Sequence, residues 1–78
     1  MTLTSRAEHE ADRRAREAYD AADVNPYDIA ERTLADGGDP HEAADAAREA
    51  MYDETGNHGA ADRAAMNARG YAEELTDQ

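Results

Sequence analysis

Nineteen of the 31 apolar residues in this 78-residue chain are alanine, and they recur at the spacing of a helix. Ala7, Ala11, Ala15, Ala18 and Ala22 follow at gaps of four, four, three and four, and Ala61, Ala65, Ala68, Ala72 and Leu75 repeat the pattern near the C-terminus. A half-buried strand would need alternation at every second residue, so the pattern predicts an all-α chain. Alanine contributes little hydrophobic free energy per residue, but its small side chain lets two helix backbones approach closely and gain dispersion contact. The expected core is therefore thin and lined with alanine. The larger apolar residues beyond Met1 and Leu3 are Val24, Ile29, Leu34, Leu75, Met51, Met66 and four tyrosines, with no Phe or Trp.

A chain of this length buries only about 60% of the surface its unfolded form exposes. Below about 70–80 residues a core seldom supplies more than a few kcal/mol without staples. Cysteine is absent, so disulfides cannot supply them. Close helix packing, burial of further surface in an oligomer or a partner, and a solvent that strengthens burial are the remaining routes.

Helix boundaries are marked by capping residues. Ser5-Arg6-Ala7-Glu8 has the form of a capping box and predicts a first helix over residues 6–23. Asn25-Pro26 supplies a cap and a first-turn proline, with Asp28 near the positive end of the dipole, for a second helix over 26–36. Gly37-Gly38 can end it in the left-handed conformation, and Asp39-Pro40 repeats the start signal for a third helix over 40–54. Gly56 closes that helix, and Asn57 caps a fourth over 58–75, in which Gly59 weakens the first turn and Gly70 is a potential break. The expected architecture is one small domain of four short helices arranged as two antiparallel helical hairpins, a small bundle. The second helix, with Tyr27, Ala30 and Leu34 on one face and Ile29 beside it, is its expected centre. His9-Glu10-Ala11 and Arg16-Glu17-Ala18 reappear 32 positions later as His41-Glu42-Ala43 and Arg48-Glu49-Ala50, one copy in the first helix and one in the third.

The formal charge is −11, from 19 acids and eight bases, and every base is arginine. Acidic, lysine-free surfaces resemble those of cytoplasmic proteins that work in molar salt, where the Debye length falls to about 3 Å and self-repulsion is screened. Arg13, Arg14 and Arg16 form the main basic cluster. Glu10, Asp12, Glu17 and Asp20 interleave with it at helical neighbour positions, which argues against direct nucleic-acid binding and for charge pairing within or between chains.

No catalytic or cofactor motif is present. Ser5 is explained as a cap, and neither a nucleophile elbow nor a phosphate-binding glycine loop occurs. His41 with Asp45 and His9 with Asp12 lie at helical spacing, yet neither has the His-Glu-x-x-His arrangement of a zinc helix, and His58 stands alone. No metal, cofactor or catalytic residue is assigned. Apolar runs are too short for a membrane span and the N-terminus lacks the layout of a signal peptide, so a cytoplasmic protein is expected. The expected function is that of a small acidic, non-enzymatic structural or regulatory module that binds protein, foremost further copies of itself. The alternative is a DNA mimic of the anti-restriction, anti-defence or antitoxin kind, which would occupy the groove of a basic nucleic-acid-binding protein. Tyr19, Tyr27, Met51, Tyr52, Tyr71 and Leu75 are the candidate interface residues, because amphipathic tyrosines and Met are favoured where subunits meet.

Overall fold

The computed structural model describes residues 3–77, with side chains from His9 onward. Among them the chain forms four helices and no strand: α1 (Leu3–Ala21), α2 (Pro26–Ala35), α3 (Pro40–Thr55) and α4 (His58–Thr76). Three of the four starts coincide with the predicted caps. The Asn25 side chain accepts from the backbone N–H groups of Tyr27 and Asp28, that of Asp39 from Glu42, and that of Asn57 from Ala60. Each satisfies amide donors that the first helical turn leaves without a partner.

The start of α1 differs. It begins at Leu3, two residues before the expected cap, so Ser5 stands inside the helix and does not cap it. The side chains of the Ser5–Glu8 capping box lie outside the described residues. At its other end α1 stops at Ala21, two residues short of the prediction, and the Ala22 N–H is shared between the carbonyls of Ala18 and Tyr19 as the last turn tightens. Gly70 does not interrupt α4, which runs through it to Thr76.

The α2–α3 corner shows why two glycines stand there. Gly37 takes φ 91°, its N–H donates to the Leu34 carbonyl, and the Gly38 N–H donates to the Thr33 carbonyl. That pair of bonds is the Schellman ending of a helix. Gly38 is required for a second reason, because a Cβ there would lie 2.7 Å from the Thr33 methyl group.

The centre of the fold is α4, not α2 as the distribution of larger residues suggested. α4 packs against each of the other three helices and buries Ala60, Ala61, Ala64, Ala65, Ala68 and Ala72. Those alanines cover more than one face, so neighbours can close on α4 from several sides. α2, which carries the bulkier residues, buries only Pro26 and Ala30. α3 and α4 form the tightest hairpin and α2 packs on both, while α1 packs mainly on α4, touches α3 slightly and shares no close approach with α2.

The core is as thin as alanine implies. It comprises Ala30, Ala43, Ala47, Met51 and the α4 alanines, and Met51 is the one large side chain that is fully enclosed among the described residues. The Cα framework measures 46 × 23 × 15 Å. Helix axes pack about 8–10 Å apart, so the shortest dimension holds two layers of helix and no more. The longest exceeds the roughly 28 Å of a 19-residue helix, because α1 overhangs the rest; every described residue from His9 to Arg14 is exposed.

Candidate interaction surface

Two small residues bring α1 onto α4. A Cβ built on Gly59 would fall 2.7 Å from the Cβ of Ala15, so the helices touch there with no space to spare. The glycine that weakens the first turn of α4 is thus what permits the contact. Further along, the Asn67 amide donates to the Tyr19 hydroxyl at 2.9 Å, which satisfies the phenol where Ala18 and Tyr19 meet the core. Between these points α1 and α4 enclose an open groove of about 560 Å³ lined by Ala11, Asp12, Ala15, Gly59, Asp62, Arg63, Met66 and Asn67. Arg63 reaches over it toward Asp12 at 4.0 Å. Met66 is 73% exposed at its edge, the most exposed of the large apolar residues described. Neither Met66 nor Ala11 stood out in the sequence, since a methionine among alanines at helical spacing looks like core material.

A second, smaller cleft of about 270 Å³ lies between α3 and α4. There Tyr52 and His58 stack with ring centroids 4.6 Å apart, and Arg48 lies 3.4 Å from both Asp45 and Asp62. His41 lies 3.7 Å from Asp45, and both side chains are exposed. Among the described residues no three His, Asp or Glu side chains converge in a metal-binding group. Thr33 and Thr55, two hydroxyls near the core, both donate to carbonyls one turn back, which commits them to their helices.

The tyrosines pair off. Tyr27 and Tyr71 meet edge to face, centroids 5.3 Å apart and rings 87° to each other, and the Tyr71 hydroxyl donates to Glu31 at 2.6 Å. That hydrogen bond raises the Tyr71 pKa above its ordinary value, with desolvation and the negative charges of Glu31 and Glu74 acting in the same direction.

The six candidate interface residues therefore do not form one patch. Met51 is wholly inside the core and has no surface to offer a partner. It lies in the core cluster among the alanines of α3 and α4, where a long flexible side chain adapts to its neighbours. Tyr52 stacks at the start of α4, whereas Tyr71 and Leu75 lie near its end, separated from it by about 20 Å of helix. Tyr19 is half-buried, and Tyr27, Tyr52 and Leu75 remain exposed. Within the arginine cluster, Arg16 pairs with Asp12 at 3.2 Å and Arg13 approaches Glu17 at 3.9 Å, while Arg14 has no carboxylate within 4 Å among the described residues. These pairs are exposed, and each contributes on the order of 0.3–0.5 kcal/mol at most.

No helix of the described residues is long and apolar enough to cross a membrane. Comparison with known proteins finds no match to this chain among protein-family models, curated proteins or solved structures.

Proposed function

We propose that this chain is a small acidic, non-enzymatic structural or regulatory module that works by binding protein, foremost further copies of itself, in a solvent of high ionic strength. The observation that supports this reading is the inverted placement of its apolar residues. The interior is almost all alanine, while Met66, Tyr27, Tyr52 and Leu75 are left at the surface. A chain that gains so little from its own core is stabilised further when such residues are covered. The same reading accounts for the charge, because two copies at −11 each repel strongly in dilute buffer and much less when salt shortens the screening length.

A second reading rests on α3. Asp45, Glu49 and Asp53 stand four residues apart and are all exposed, forming a row of carboxylates spaced by about 6 Å that resembles a strand of phosphates. On this view the partner is a basic nucleic-acid-binding protein. Light scattering and circular dichroism at about 0.1 M and about 2 M KCl, where the Debye length is about 10 Å and well under 3 Å, separate the two. Self-association that strengthens with salt is the expected result. A compact monomer indifferent to salt removes the first reading and leaves the mimic, to be tested by capture of a basic partner.

A further inference from the structure

The net acidic charge is smallest along the α1–α4 groove, whose lining sets Asp12 and Asp62 against Arg63. Residues 9–17 hold Arg13, Arg14 and Arg16 against Glu10, Asp12 and Glu17, which balance. Arg6 and Glu8 balance as well, so the whole net charge of −11 lies beyond residue 17, where four arginines face fifteen acids. Two copies approaching through α2, α3 or the C-terminal half of α4 bring like charge against like charge. Through residues 9–17 of α1, where the charges cancel, they do not. This least acidic face also carries uncovered apolar surface, since Ala11 and Met66 are both exposed there and the groove between them is open. Charge and apolarity are independent properties of the chain, and they select the same place.

We infer that this groove is the seat of a second copy of the chain: the α1 helix of each subunit lies in the α1–α4 groove of the other, with Ala11 and Met66 at the centre. This inference rests on the self-association proposed above and assigns it a surface. The occupant is a copy of this chain and not a basic partner, because a strongly cationic ligand would be drawn to the acidic remainder of the molecule and not to residues 9–17, where the charges cancel. The arrangement is isologous, so each α1 serves once as the inserted helix and once as a wall. Alanines on both helices permit the close approach that α1 and α4 already make at Ala15 and Gly59. Arg14, without a carboxylate partner in its own subunit among the described residues, stands at the edge of this face and can pair across it.

The experiment compares the intact chain with Met66→Glu and Ala11→Cys. Met66 is exposed, so the glutamate leaves the helical dichroism unchanged while placing a charge in the groove. The inference expects light scattering to give twice the 8.5 kDa chain mass for the parent at high salt and the single mass for Met66→Glu. Because the chain has no cysteine of its own, a short bismaleimide joins only introduced thiols. Ala11→Cys is expected to cross-link at least tenfold faster than Ala35→Cys, an exposed position at the far end of α2. If the parent is oligomeric while Met66→Glu keeps its mass and Ala11→Cys reacts no faster than the control, the groove is not the interface and self-association through another face stands. If the parent stays monomeric at every salt and concentration, self-association falls and this surface falls with it.

Discussion

α1 and α3 carry the same two tripeptides at the same spacing, His-Glu-Ala and Arg-Glu-Ala, yet occupy opposite situations in the fold. Ala43 of α3 is fully buried where its counterpart Ala11 in α1 is exposed. Arg48 of α3 reaches across to Asp62 on α4, whereas Arg16 of α1 pairs within its own helix. The difference arises from what packs against each helix. α3 is tied to α2 through the Gly37-Gly38 ending and to α4 through Gly56, which takes φ 63° and donates to the Tyr52 carbonyl. It is held at both ends and packed on two neighbours. α1 packs mainly on α4, through Ala15, Ala18 and Tyr19. Identical local patterns thus become core or surface according to how many sides neighbouring helices close, which residue spacing alone does not encode.

The sharpest way to break this comparison is to place the same charge at the two matched positions. Ala43→Asp buries a carboxylate with no partner, a cost of several kcal/mol that exceeds what so small a core supplies, and the helical dichroism signal should be lost. Ala11→Asp, measured at concentrations where the chain is monomeric, should change stability to urea by no more than about 0.5 kcal/mol. Equal loss at both sites would mean that α1 is as deeply packed as α3.

A smaller effect tests the one tight contact that α1 makes. Gly59→Ala and Gly70→Ala are the same change in the same helix, and propensity alone favours both by about 0.5–1 kcal/mol. At Gly70 there is open space, so stability to urea should rise by that amount. At Gly59 the new methyl meets Ala15, and overpacking should turn the gain into a net loss of about 1 kcal/mol or more. Two gains would show that α1 is not held at Ala15.

The smallest effect concerns the α2–α4 contact. Bonded to Glu31, Tyr71 has a folded pKa above its unfolded value of 10.0. The stability this contributes is fully present below that unfolded value and is lost as pH rises through the higher folded one. In an alkaline titration followed by tyrosinate absorbance, Tyr71 should ionise above its unfolded value of 10.0, and Glu31→Gln should lower its midpoint.

Much of the architecture was legible because caps are chemical signals with fixed offsets. Asn25-Pro26, Asp39-Pro40 and Asn57 each place a side-chain acceptor over bare amides, and the helices they start run within a residue of the predicted spans. The Ser5 motif misled because an acceptor followed by Glu three residues later also fits inside a helix that begins earlier. The surface was less legible for a related reason. With alanine on most faces, hydrophobic periodicity does not point in one direction, so Met51 and Met66 look alike although one is enclosed and the other 73% exposed. Gly59 carried no sequence signal beyond its low propensity, since its role depends on Ala15, more than forty positions away.

The alanine interior also governs how this molecule responds to temperature. The heat-capacity change of unfolding scales with the apolar surface released, and a methyl group releases far less than a leucine or phenylalanine side chain. With Met51 the one large side chain fully enclosed among the described residues, that change is small for a chain of this length. A small heat-capacity change flattens the dome of stability against temperature and pushes its cold limb further down. The fold is therefore modest in stability at its best temperature and close to that value over a wide range on either side, a shallow plateau where a leucine-filled core would give a peak.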